Sequence, residues 1–216
     1  MITITAFKWV PPLVQGLVRD LRVRWALEEA GLEYHTKLIQ PGLPTSADYH
    51  MHQPFGQVPA YEEDGLVLFE SGAIVLHIAE RCPALLPAEP EARARAVTWM
   101  FAALSSIELV VVPVATMNDF QRDKEWPAER RAEAEAFARR RLKDLAAWLG
   151  DREYLEDRFT AGDLLMSTVL RIPRGTDLLD AEPTLQRYKE RCEARPAFQR
   201  ALAAQMASYA AGPPSA

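Results

Sequence analysis

Every strand-like stretch in this 216-residue chain lies before residue 83, and beyond a proline-rich break the patterning is helical. ITITAF near the start alternates apolar and polar residues with the period of a half-buried strand. A helical run is expected over about residues 13–30, and EYHTKLI follows as a second strand. VPAYEED and LVLFE read as two short strands joined by a turn at Asp64 and Gly65. SGAIVLHIAERC then reads as a closing helix. The order strand-helix-strand, connection, strand-strand-helix gives a small mixed α/β sheet with helices packed on it, and order alone fits several such folds.

The segment PALLPAEPEA carries three prolines, which cannot continue a helix, and it reads as a linker. The expected division is a first domain over residues 1–83, a linker over 84–91 and an all-helical domain over 92–216. In the last of these, ARARAVTWMFAALSSIELVVV has apolar residues at helical spacing until Pro113 stops or kinks it. A second long helix is expected over about residues 127–149, with Phe137, Leu142, Leu145 and Trp148 turned inward. Three further helices are expected over about residues 161–172, 184–194 and 197–209.

A formal net charge of -5 leaves no basic excess to displace phosphate counterions, which argues against a nucleic-acid partner. Two cysteines, Cys82 and Cys192, suit buried free thiols in a reducing compartment better than a disulfide scaffold. The N-terminus lacks the basic head and apolar run of a secretory signal. No stretch is read as long and uncharged enough to span a bilayer, so the expectation is a cytoplasmic protein without a membrane partner.

Chemistry is concentrated in GQVPAY followed by LFESGAI. A cis bond between Val58 and Pro59 would interrupt the ladder there and free the N–H and C=O of Val58 to pair with an extended ligand. Ser71 would open the next helix, where unpaired N–H groups and the dipole favour a carboxylate, and Glu70 could accept from an ammonium. The same residues also fit a purely structural role, Pro59 as an edge proline and Ser71 as a cap. In FTAGDLL, Thr160 and Asp163 form a capping box and Phe159 can staple onto Leu164. His50 and His52, at alternating positions of an extended stretch, lack a third ligand, so no metal site is assigned.

GQVPAY, ESGAI, RVRWALEEAGLEY and FTAGDLL, in this order and at these separations, resemble the glutathione S-transferase family along nearly the whole chain. The resemblance implies a thioredoxin-like N-terminal domain with a cis-proline at Pro59, an all-α C-terminal domain, a cleft between them and a homodimer. It also implies that glutathione binds as co-substrate: Glu70 and Ser71 hold its γ-glutamyl end, the Val58 backbone its cysteinyl part, and Gln57 lies nearby.

One segment departs from the family pattern. Members place a Tyr, Ser or Cys beside the glutathione sulfur near the end of the first strand, whereas FKWVPPLVQGLVRDLRVRW contains none of these. Depending on the alignment, the usual serine position falls on Leu17 or near Val10 or Pro11. A thiol with a pKa near 8.5 is a few per cent ionised at neutral pH, and a hundredfold shift toward thiolate takes roughly 2.7 kcal/mol of preferential stabilisation. The substitute donors are the Arg19 guanidinium, the Trp9 indole N–H, the Gln15 amide and the backbone amides near Gly16. Arg19 has an alternative place on a solvent face, paired with Asp20 or Glu29.

Trp9, Val10 and Leu13 on one side, with Trp99, Met100 or Phe101 on the other, are candidates to hold an apolar electrophile. The leading expectation is a glutathione transferase acting on an apolar electrophilic small molecule. A glutathione-binding or protein-interaction module of the same fold with little chemistry is the alternative. A peroxidase or disulfide reductase lacks a well-placed cysteine.

Overall fold

The computed structural model describes residues 1–40, 46–119, 121, 128–210 and 212–213. The chain divides into two compact units, one of residues Met1–Leu85 with the C-terminal segment from Arg195, the other Leu86–Ala194.

In the first unit, β1 (Ile2–Phe7), β2 (Tyr34–Ile39), β3 (Tyr61–Glu63) and β4 (Leu66–Leu68) form a four-stranded sheet in the order β2-β1-β3-β4. β1 runs parallel to β2, with Ile2 opposite Tyr34 and Phe7 opposite Ile39, and antiparallel to β3, with Ile4 opposite Tyr61. Asp64 and Gly65, both at positive φ (49° and 88°), turn β3 into β4, the conformation that a two-residue hairpin turn needs. This is the thioredoxin-like sheet. Ile2, Ile4 and Ala6 are buried at alternate positions, and Thr5 is buried on the opposite side of the strand.

The helix α1 (Asp20–Ala30) begins seven residues later than the periodicity predicts. Pro12–Val14 forms a single 3-10 turn, and Gly16 adopts φ 77°, which ends helical continuation and re-aims the chain. At the other end Gly31 closes α1 at φ 64°, with the Leu32 N–H reaching Leu27 O in a Schellman pattern. α3 (Ser71–Ala79) packs against α1.

The last helix, α9 (Pro196–Ala207), also packs on α1 and belongs to the first unit, not to the helical domain to which the sequence division assigned it. Its attachment is polar and aromatic. Gln205 Nε2 donates to Asp20 Oδ1 (2.7 Å) and Val18 O (3.1 Å), and Asp20 accepts from Arg24 Nε at 2.7 Å. Arg195 grips Glu29 through two bonds (2.6 and 2.9 Å), and Trp25 meets Phe198 edge-on at 4.8 Å. Apart from Asp20 and Arg24, which lie one turn apart on α1, these partners are far apart in sequence, so periodicity could not reveal them.

The second unit is helical. α4 (Pro90–Ala102), a π-helical stretch (Ala103–Glu108) and α5 (Leu109–Asp119) form one continuous run, with Pro113 inside it. Pro113 does not stop this run, which continues six residues further. By length and composition alone Pro90–Asp119 could cross a membrane, contrary to the sequence expectation, and half of its most apolar window is buried inside the protein.

α6 (Ala128–Leu149), α7 (Ala161–Leu170) and α8 (Pro183–Glu193) complete the described elements of this unit. Every residue of α7 is buried. Its approach to α4 is set by Gly162, where an added Cβ would lie 2.6 Å from Trp99 Cβ. The capping box at Thr160 and Asp163 is present, and the Asp163 carboxylate also accepts from Leu155 N–H (2.8 Å) and the buried Tyr188 hydroxyl (2.9 Å). On α6, Leu142 and Leu145 are buried as expected, but Phe137 and Trp148 are exposed. Arginines cover both rings, Arg140 and Arg141 over Phe137 and Arg152 over Trp148, which explains how aromatics persist on that surface.

Candidate functional site

The Val58–Pro59 peptide bond, immediately before β3, is cis. Two hydroxyls hold the chain on either side of it. Tyr49, from the four-residue helix α2 (Ala47–His50), donates to Gln57 O at 2.6 Å. Thr5 Oγ1 accepts from the Ala60 N–H at 2.7 Å, and Thr5 N–H donates to Ala60 O at 2.9 Å. The two hydroxyls lie 3.0 Å apart. With Tyr49's one hydrogen spent on Gln57, Thr5 is the donor between them. Burial raises the Tyr49 pKa, keeping this hydroxyl protonated. Among the described residues neither the N–H nor the C=O of Val58 has a hydrogen-bond partner.

Ser71 is the first residue of α3, and Glu70 precedes it as the capping residue, so Ser71 is not itself the cap. The first intrahelical bond runs from Ile74 N–H to Glu70 O, which leaves the N–H groups of Ser71, Gly72 and Ala73 outside the helical ladder. Glu70 is exposed, makes no capping bond, and sits at φ 66°, a conformation that costs a non-glycine residue on the order of 1–3 kcal/mol.

Ser71 is buried, and its Oγ accepts from Arg22 Nη1 at 3.2 Å. Its own O–H has no acceptor among the described residues, so it remains available to a ligand. Arg22, itself buried, brings a full positive charge to a helix N-terminus already favourable to anions. Phe55 and Phe69, both exposed, stack edge-on at 6.0 Å and so bring the chain just before Gln57 beside the chain just before Glu70. The side chain of Gln57 is exposed.

The segment from Lys8 to Arg19 carries the three proposed sulfur donors. Trp9 is half-buried, and its indole N–H makes no hydrogen bond among the described residues. Gln15 spends one amide N–H on Val10 O at 3.0 Å, holding the loop closed on itself. Arg19 is exposed at the N-terminal boundary of α1. Of the carboxylates set beside it from sequence, Asp20 pairs with Arg24 and Glu29 with Arg195.

Of the apolar candidates, Val10 and Met100 are buried core residues, Leu13 and Phe101 are exposed, and the Trp99 indole donates to Glu156 at 2.9 Å. Other candidates resolve simply. His50 closes the helix α2 instead of lying in an extended stretch, and His50 and His52 each pair a ring nitrogen with a nearby carbonyl, of Pro54 and Asp48. Among the described residues no cluster of His, Cys, Asp and Glu could hold a metal ion. Cys82 and Cys192 are buried, and neither is in a disulfide.

Thr5, Tyr49 and Arg22 were not singled out from sequence. Thr5 looks like the polar half of a strand alternation, Tyr49 lies in an unpatterned connection, and Arg22 has no feature of its own within RVRWALEEAGLEY.

Comparison with known proteins gives a consistent result. Residues 13–80 match the family model described as the glutathione S-transferase N-terminal domain. Glutathione S-transferase 3 of Zea mays is 32% identical over 203 residues, covering 85% of this chain and 88% of that protein. A glutathione transferase from Methylococcus capsulatus superposes with a TM-score of 0.77 at 26% identity, over 96% of this chain and 100% of the other. A glutathione transferase family member from Pseudomonas fluorescens, solved with two glutathione molecules bound, superposes with a TM-score of 0.79 at 24% identity, over 93% and 92% of the two chains.

Proposed function

The chain belongs to the glutathione S-transferase family, and from that premise we propose that it binds glutathione through Val58, Glu70 and Ser71 and joins the glutathione thiol to an apolar electrophile. The observation that carries the proposal is the pair of unspent hydrogen-bonding groups on Val58, held between two pinned residues, together with the Arg22–Ser71 contact at the N-terminus of α3. An extended tripeptide has a main-chain N–H and C=O to offer Val58 and a γ-glutamyl carboxylate for the Ser71 hydroxyl and the first N–H groups of α3. Glu70 accepts from the γ-glutamyl ammonium, and Gln57 lies at the edge of the bound peptide.

The chemistry is then attack of the thiolate on an electrophilic carbon, forming a C–S bond as the leaving group departs or a proton adds. Arg19 supplies charge that favours the thiolate, and Trp9 and Gln15 supply neutral donors. Holding both reactants in one site provides much of the rate.

The reading includes a homodimer in the cytoplasm. Phe55, Leu66, Val67 and Phe69 are exposed at the edge strand β4, an apolar surface suited to a second copy. The buried cysteines, neither in a disulfide, suit a reducing compartment.

The second reading is a glutathione-binding module with little turnover, favoured by the lack of any Tyr, Ser or Cys between Phe7 and Trp25. Calorimetric titration with glutathione, run beside a thiol-detected conjugation assay over a panel of electrophiles, separates the two. Binding with turnover supports the transferase, binding without turnover supports the module, and failure to bind overturns both.

A further inference from the structure

We infer that Tyr49 is a positioning residue that aims the Val58 N–H at the ligand, an inference that rests on the proposed glutathione site. The argument is one of peptide planes. The Gln57–Val58 bond is trans, so the Gln57 C=O and the Val58 N–H lie in one plane and point in opposite directions. Tyr49 Oη holds the Gln57 carbonyl at 2.6 Å, the shortest bond in this network. Fixing that carbonyl toward Tyr49 fixes the Val58 N–H away from it, as a preorganised donor.

On the far side the Thr5 hydroxyl fixes the Pro59–Ala60 plane through the Ala60 N–H at 2.7 Å. Because Thr5 also donates to Tyr49, one hydrogen-bonded chain sets both planes that flank the Val58–Pro59 bond. α2, only four residues long, gives Tyr49 little support of its own, and the ring is buried against the sheet side that carries Thr5. Without the phenolic oxygen the Gln57 carbonyl has no other protein donor among the described residues, and its plane is free to rotate with the Val58 N–H.

The test compares wild type, Tyr49→Phe, Thr5→Val and Thr5→Ser in the full chain, with circular dichroism confirming the fold. Calorimetric glutathione titration and steady-state kinetics are the readouts. Tyr49→Phe is expected to weaken glutathione binding about tenfold at unchanged stoichiometry, raising KM for glutathione while kcat at saturation stays within about twofold. Thr5→Val is expected to match it, Thr5→Ser to bind within about threefold of wild type, and the double variant Tyr49→Phe/Thr5→Val to lose less than the product of the single losses.

A folded Tyr49→Phe protein with wild-type affinity overturns the inference while leaving the glutathione site intact. A loss confined to kcat or to the fraction of competent protein overturns it as well. Wild type that fails to bind glutathione overturns the proposed site and this inference with it.

Discussion

Replacing Ser71 with alanine removes a single oxygen that serves two partners, one inside the protein and one in the proposed ligand. Inside, Oγ accepts from Arg22 Nη1 at 3.2 Å, and both residues are buried, so the variant removes one acceptor from the guanidinium. Losing a hydrogen bond from a charged donor costs about 1.5–3 kcal/mol, which for a chain of this size lowers Tm by roughly 3–12 °C. Toward the ligand, the hydroxyl gives a hydrogen bond to a charged carboxylate, worth about 1.5–3 kcal/mol, so glutathione binding weakens by about 10- to 150-fold.

The two effects separate by assay, thermal denaturation without ligand for the first and calorimetric titration well below Tm for the second. A glutathione analogue amidated at the γ-glutamyl carboxylate localises the loss. It binds worse than glutathione to wild type, and the difference shrinks in Ser71→Ala because the interaction is already gone. A folded variant with glutathione affinity within twofold of wild type refutes the assignment, and so does an analogue penalised equally in both proteins.

Asp163→Ala strands the Leu155 and Thr160 N–H groups and the Tyr188 hydroxyl, and is expected to cost at least ~3 kcal/mol in urea denaturation, against ~1 kcal/mol for Thr160→Ala. Equal losses would contradict that accounting. The Arg81 hydrogen bond holds the Glu63 carboxyl below its usual range, so the folded chain carries fewer protons than the unfolded one as both begin to titrate. The resulting stability is complete above the unfolded value of about 4.3 and declines as pH falls through the lowered one. Glu63→Gln is expected to flatten that acid limb in denaturation at stepped pH. Arg19→Ala is expected to move the pH-rate profile of conjugation upward by about half to one unit and Trp9→Phe by less, whereas unchanged profiles in both would remove these donors.

Part of the fold was legible because strands, turns and helix caps announce themselves locally. Ile2, Ile4 and Ala6 show the buried face of β1, Asp64-Gly65 supplies the positive φ of its hairpin, and Thr160 with Asp163 fixes the start of α7. What stayed hidden depends on distance or on a single dihedral. The start of α1 moved because Gly16 takes φ 77°, which residue spacing does not encode. α9 changed unit because Gln205, Arg195 and Phe198 find their partners on α1, more than 160 residues away.

The candidate site shows the same division. GQVPAY and ESGAI marked the residues offered to the ligand, while Thr5, Tyr49 and Arg22, which hold those residues in place, have nothing unusual in their sequence neighbourhoods. Phe137 and Trp148 misled for a related reason, since their charged neighbours Arg140, Arg141 and Arg152 cover them where a core was expected to.

A crystal structure of the full chain grown with glutathione tests the central claim most directly. The predicted result is a tripeptide whose cysteinyl N–H and C=O pair with Val58 and whose γ-glutamyl carboxylate meets Ser71 at the N-terminus of α3. Glutathione bound elsewhere, or bound with Val58 left unpaired, would contradict it.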